Sequence, residues 1–240
     1  MKLLITDGSN EVAETLKNGL GSYDITLSEH AKNNPINDNI IINNLDPSLS
    51  TTKFISEFDY VIIQAISSEC KTPQDLNSKV QEIYNILSSC VESGIKKVIM
   101  INDLDNFKSY QPGLTITENW EPKPEAEIKS LSSHLSEKIF KEFGRTYPFQ
   151  KILVRASLPF AESNNLKEKY ESGISKKVFI ESVNTILKSD FSNRYEVLHI
   201  QNNLENQRFL TSKFNNISTL TTKEPQIFYE PKLKNKGAVK

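Results

Sequence analysis

Apolar and polar positions alternate along this chain with two periods, one suited to buried strands and one to amphipathic helices. The run Lys2 to Thr6 (KLLIT) reads as a buried strand, and Val12, Leu16 and Leu20 then recur at helical spacing. A second strand is predicted over Asp24 to Ser28, and after the polar loop Asn33 to Asn39 a third over Ile40 to Asn43. Phe54 and Ile55 fall on a short helical stretch before a fourth strand, Asp59 to Ala65. Val80, Ile83, Leu87, Cys90 and Val91 form one apolar stripe of a long helix, with Gly94 as its C-terminal cap and Lys97 to Ile101 as the fifth strand.

From Asn102 to Pro124 the pattern is that of a loop, punctuated by Pro112-Gly113, Trp120, Pro122 and Pro124, and a loop of that length commonly carries or covers a site. Leu131, Leu135, Ile139, Phe140 and Phe143 predict the next helix, closed by Gly144, and Lys151 to Ala156 a sixth strand. Beyond it, Val183, Ile186 and Leu187 suit a helix and Tyr195 to Ile200 a strand, while the Asn- and Thr-rich text after residue 202 gives no firm element. Strands alternating with helices imply right-handed crossovers and an α/β fold: a Rossmann-like, doubly wound, mostly parallel sheet with helices on both faces and a reduced C-terminal region. The expected division is a core over 1–156 and a small mixed α/β region over 157–240 that completes the fold, ending in a basic tail, 232–240.

Composition narrows the function classes. With 29 Lys and Arg against 30 Asp and Glu the formal charge is -1, so nothing suggests nucleic acid, and the lysines of the tail read as a solvated segment. No run approaches the length of a membrane span and the N-terminus enters a strand directly, so a cytoplasmic protein is expected. Cys70 and Cys90 form no disulfide framework; they read as a loop thiol and a buried thiol. His30, His134 and His199 belong to no metal spacing, so no metal site is expected.

The turn after the first strand is Asp7-Gly8-Ser9-Asn10-Glu11-Val12-Ala13. A turn that cradles a pyrophosphate uses glycines to bend tightly and bring its backbone close to the phosphates. Here Asp7 and Glu11 bring two carboxylates to a helix start that would otherwise favour an anion. Read on its own, the turn is a capped helix start, with Ser9 or Asn10 as the cap.

Six landmarks follow in order: KLLITDGS, DYVIIQA, SGIKKVIMIN, ITENWEPKP, HLSEKIFKEFG and ILVRASLPF. In order and spacing they resemble the extended short-chain dehydrogenase/reductase family, which includes NAD-dependent sugar epimerases and dehydratases, from Met1 to about Ile200. The resemblance implies NAD or NADP as cofactor, held through Asp7, Gly8, Ser9, Asn10, Ala13, Glu29, Asn44 and Ala65. The family's three turn glycines fall on Asp7, Asn10 and Ala13, its ribose-binding acid on Glu29, and its adenine contact on Asn44 or Asp46.

The resemblance also implies where chemistry would sit. Family members use a Tyr and a Lys four residues later on one helix face, with a Ser or Thr after the fifth strand. Aligned on Glu137, the Tyr position falls on Lys129, the Lys position on Ser133, and the hydroxyl position near Asn102 and Asp103. Tyr147 and Lys151 have the literal spacing, but Pro148 between them breaks a helix. Tyr110, in the long loop, is the candidate for a relocated phenol, and Arg155 reads as a structural ion-pair partner.

The C-terminal region is short and has only Arg194 and Arg208, which argues for a small ligand rather than a large phosphorylated one. Taken together, the losses point to a relative that has given up catalysis and serves as a binding or interaction module, with the cofactor itself open to loss. Two other functions stay open: a divergent NAD(P)-dependent epimerase, dehydratase or reductase using Asp103 or Tyr110, and a non-catalytic dinucleotide sensor. A homodimer would pair the helices that end near Gly94 and Gly144, whose expected exposed faces carry Lys79, Glu82, Lys138 and Lys141; another protein partner is the alternative.

Overall fold

A computed structural model describes residues 1–30, 40–43, 45–66, 70–160, 173–202 and 207–221. Its elements run β1 (Lys2–Ile5), α1 (Glu11–Gly19), β2 (Asp24–Glu29), β3 (Ile40–Ile42), α2 (Leu49–Ile55), β4 (Tyr60–Gln64), α3 (Pro73–Glu92), β5 (Lys97–Asp103), α4 (Ile128–Thr146), β6 (Gln150–Ala156), α5 (Lys176–Lys188), β7 (Tyr195–Ile200) and α6 (Ser212–Thr221). The seven strands form one sheet in the order β3-β2-β1-β4-β5-β6-β7, and every neighbouring pair is parallel. A parallel sheet needs cover on both faces, which is why its strands read as unbroken apolar runs. In β1, Leu3 and Ile5 face the core under α1 and α5, and Leu4 faces the core under α2, α3 and α4; all three are fully buried. Truncating any of them to Ala removes about 3 kcal/mol.

β1 lies between β2 and β4, so the chain winds outward one way through β3 and then the other way through β7. At such a reversal the loops after the two central strands part, leaving a crevice at their C-terminal ends. A third, small cluster of Leu104, Phe107, Ile116 and Phe209 packs beyond the end of β5, with Tyr110 and Trp120 against it.

Three expectations need correction. Gly144 does not close α4, which continues to Thr146; a Cβ on it would stand 2.7 Å from the Tyr195 ring, so this glycine is a close-packing position. Leu135 is exposed, and the inner face of α4 is instead made by Ser132, Ser136, Phe140 and Phe143. β5 runs on to Asp103, so Asn102 and Asp103 belong to the strand rather than to the loop. Gly94 does end α3, in a left-handed conformation (φ 69°) that a glycine adopts without steric cost. The tail 232–240 lies outside the described residues.

Candidate functional site

The crevice is a cleft of about 460 Å³ between the turn after β1, the ends of β2, β4 and β5, the first turn of α4 and the segment Leu158 to Phe160. Asp7 occupies the turn's first glycine position at φ 50°, so the left-handed backbone bend is kept without a glycine. Its carboxylate turns away toward α3, where the Lys79 ammonium donates to its two oxygens at 2.8 and 2.6 Å. Lys79 is 5% exposed and also pairs with Glu82, at 3.5 Å. The expectation that Lys79 and Glu82 lie on an exposed helix face is therefore wrong. Lys79 stands one turn before Ile83 on the buried stripe, and that lysine within an apolar period was the signal available. Burial works against its charge, but Asp7 and then Glu82 outweigh it and raise the Lys79 pKa; burial lifts the Glu82 carboxyl to about 7 despite Lys79.

Asn10 is the N-cap of α1, its side chain accepting from the Ala13 amide at 2.9 Å and donating to Gln64 Oε1 at 2.6 Å. Gln64 Nε2 in turn donates to the Thr6 and Asp7 carbonyls at 2.7 and 3.3 Å. Sequence reasoning missed Gln64, a polar residue closing an otherwise apolar strand. The buried Glu29 carboxylate accepts from the Ser9 amide at 3.0 Å and the Ser9 hydroxyl at 2.6 Å through the same oxygen, Oε2. The structure thus brings Asp7, Gly8, Ser9, Asn10, Ala13 and Glu29 together as one unit. Ala65 follows β4, buried, with its amide on the Ile101 carbonyl. Asn44 lies outside the described residues, and Asp46 is exposed.

At the cleft's other end Asp103 closes β5 and is 6% exposed, with Oδ1 accepting from the Asp105 amide at 3.1 Å. Burial first, and then the Asp105 charge, push its carboxyl up to about 6. Lys129 is exposed in the first turn of α4 and lines both the cleft and an adjoining cavity of about 140 Å³. Ser133 is buried: its hydroxyl donates to Asn102 Oδ1 at 2.7 Å and accepts from Asn106 Nδ2 at 3.1 Å. Asn102 Nδ2 donates to Glu137 Oε1 at 2.7 Å, and Arg155 grips both Glu137 oxygens at 3.1 and 2.8 Å. Arg155 is the buried structural partner expected of it.

Tyr110, the candidate for a relocated phenol, is engaged within its own loop. Its hydroxyl donates to the Glu121 carbonyl at 2.8 Å, its ring meets Trp120 edge to face, and it does not line the cleft. The Lys123 ammonium 4.0 Å from its ring centre is a cation that no helical spacing reveals. Tyr147 ends α4 while Lys151 lies in β6 and donates to the Tyr147 carbonyl, so this pair shares no helix face. Arg208 donates to the Phe107 and Tyr110 carbonyls and so supports the loop. Among the described residues no cluster of His, Cys, Asp and Glu is placed to hold a metal ion, and no helix is long and apolar enough to cross a membrane.

No protein-family model matches the sequence, and no curated protein matches it. Solved structures do. Glucuronic acid dehydrogenase from Chromohalobacter salexigens superimposes with a TM-score of 0.74 at 13% identity, over 90% of this chain and 82% of that one. For UDP-glucose 4-epimerase from Thermus thermophilus, solved with NAD, the TM-score is 0.64 at 14% identity over 91% and 82%. For the dTDP-glucose 4,6-dehydratase DesIV from Streptomyces venezuelae, also with NAD, it is 0.65 at 15% over 92% and 81%. The fold is that of the extended short-chain dehydrogenases and NAD-dependent epimerases and dehydratases.

Proposed function

We propose that this chain is a non-catalytic binding module on the extended short-chain dehydrogenase fold, keeping the cleft for a small ligand and acting by binding rather than turnover. The observation that carries this reading is Ser133. It stands where the family's lysine would hold the ribose and tune a phenol, yet it is buried and committed to Asn102 and Asn106. Lys129, at the tyrosine position, offers an ammonium in place of a phenol. A proton relay needs a group that gives and takes a proton at the reacting carbon, and among the described residues the cleft lining contains no Tyr, His or Cys.

The test is to incubate the protein with NAD or NADP and a panel of uronic acids and nucleotide sugars, following nicotinamide absorbance and sugar configuration by NMR. No turnover is expected. The second reading, a divergent NAD(P)-dependent enzyme, is favoured by Asp103, whose raised pKa suits acid-base work in the cleft. Turnover abolished by Asp103→Asn would replace the first reading with the second.

The module is taken to work in the cytoplasm, as a homodimer or with a protein partner. Tyr84 on α3 and Leu135 on α4, 55% and 39% exposed, support contact through those helices. Sedimentation of the Tyr84→Glu variant, expected to run smaller than the parent, checks this.

A further inference from the structure

Deepening the binding-module reading, on which it rests, we infer that the cleft takes a phosphate-free organic cation, an ammonium on an apolar or aromatic body. The first argument is that the turn already holds its own anion. A helix start binds phosphate through free backbone amides, so the inference turns on where those amides go. The Ser9 amide and hydroxyl are spent on the Glu29 carboxylate, the Ala13 amide on Asn10 Oδ1, the Gly8 amide on the Ser28 carbonyl and the Asn10 amide on the Asp7 carbonyl. From Gly8 to Ala13 this leaves the first-turn amides of Glu11 and Val12, beside the Glu11 carboxylate.

The second argument is the lining that remains. Val12, Ile66, Leu158, Pro159 and Phe160 make an apolar wall. At the deep end Asp103 offers a buried carboxylate whose Oδ1 accepts from the Asp105 amide, and no hydrogen bond joins it to Lys129. Asp103 and Asp105 outnumber Lys129 on this part of the lining, and charge at that depth is screened less than at the surface, so a ligand ammonium is favoured there over a phosphate.

The third argument comes from the rim. The Lys176 ammonium lies 2.7 Å from Glu11 Oε1 and 5.6 Å from the centre of the Phe160 ring, and Glu11 and Phe160 both line the cleft. The protein thus places one of its own ammonium groups between a carboxylate and an aromatic face, the pairing that recognises organic cations.

A matched series tests this: phenethylamine, phenethyl alcohol and phenylacetate share one body and differ in head group, with ADP as the diphosphate probe. Dissociation constants come from NMR titration of the full chain near neutral pH. Phenethylamine is expected to bind about tenfold more tightly than phenylacetate, with the alcohol between them and ADP silent. Asp103→Asn should bring amine and alcohol within about twofold, and Glu11→Gln provides an exposed, fold-neutral variant that should weaken the amine alone. Phenylacetate equal to the amine, no binding by any of the series, or ADP tighter than all three would each overturn the inference. ADP binding would leave the binding-module reading standing, whereas turnover of a nicotinamide cofactor would remove that reading whatever the series shows.

Discussion

The Lys79 ammonium donates to both carboxylate oxygens of Asp7 across 72 positions of sequence, and this one contact explains how an acid can occupy the left-handed position of the turn after β1. Without Lys79 the Asp7 charge would face the cleft or stay buried and unpaired. With it the turn keeps its bend and α3 is fastened to the end of β1.

Breaking that pair from one side should therefore cost more than removing both partners. Lys79→Met leaves Asp7 and Glu82 without their cation and is expected to lose about 3 kcal/mol in urea denaturation. Asp7→Gly combined with Lys79→Met should recover at least half of that, because glycine suits φ 50° and the one carboxyl left against Met, Glu82, already has a pKa raised by burial and can take up a proton. A double variant as unstable as Lys79→Met alone would mean that Lys79 matters for packing rather than charge.

Gly144→Ala tests the corrected role of that glycine. In an exposed helix the change would stabilise, since Ala is the better helix former. Here the added methyl meets Tyr195 Cδ2 at 2.7 Å and Cγ at 2.9 Å, so a loss of about 2 kcal/mol is expected, read as a lower melting temperature. Adding Tyr195→Leu should restore part of it.

These two residues also mark the limit of what the sequence told. Periodicity placed all seven strands and the major helices, because local pattern and two-sided burial agree in elements such as Lys2–Ile5 and Lys97–Asp103. Asn10 was legible as a cap, since capping is a contact between near neighbours. Lys79 and Gly144 were misread because their partners, Asp7 and Tyr195, are far away in sequence, and a lysine or glycine on a helix has an exposed or terminal role by default. The same holds for the cleft: the acids of the turn were visible, but that Glu29 takes up the Ser9 amide and hydroxyl was not.

His199 should make the fold sensitive to acid. It is fully buried in β7 with its ring edge to face against Phe107 and Phe209, and burial, then the Arg155 charge, press its pKa down to about 3. The folded state keeps it neutral while the unfolded chain takes up a proton below about pH 6.5. Its contribution is therefore complete above that value and lost as pH falls toward the folded pKa, about 3 kcal/mol by pH 4. His199→Leu should flatten the stability profile between about pH 6.5 and pH 4 in denaturant titrations, and an unchanged slope would assign the acid sensitivity to other groups.

Asp103 has the opposite sign. Its folded pKa, near 6, lies above the 3.8 of the free side chain because burial disfavours the carboxylate. Such an acid contributes full stability below its unfolded pKa, and the contribution disappears as pH rises through 6. Asp103→Asn keeps an acceptor for the Asp105 amide and removes the charge, so it should stabilise the protein by about 2 kcal/mol near pH 8 and by almost nothing near pH 4. Lys108 and Lys129, the cations whose charges favour the carboxylate, set the residual, and Asp105 opposes them. A carboxyl resonance of Asp103 that titrates near 4 by NMR would mean that the cleft's deep end is wetter than its burial implies.

Opening the turn tests whether its occupied amides keep an anion out of the cleft. Asn10→Gly releases the Ala13 amide and the Gln64 side chain, and Asp7→Gly removes the acid at the first position. Ser9 would still be tied to Glu29, so two changes should restore only part of an anion site. The double variant is expected to bind ADP with a dissociation constant of about 1 mM, roughly 4 kcal/mol of binding, with no heat expected from the parent in the same calorimetry. Adding Glu29→Asp, which shortens the carboxylate away from Ser9, should tighten it further. If all three changes leave ADP unbound, the barrier is not the occupied amides but the shape of the cleft between Val12 and Phe160.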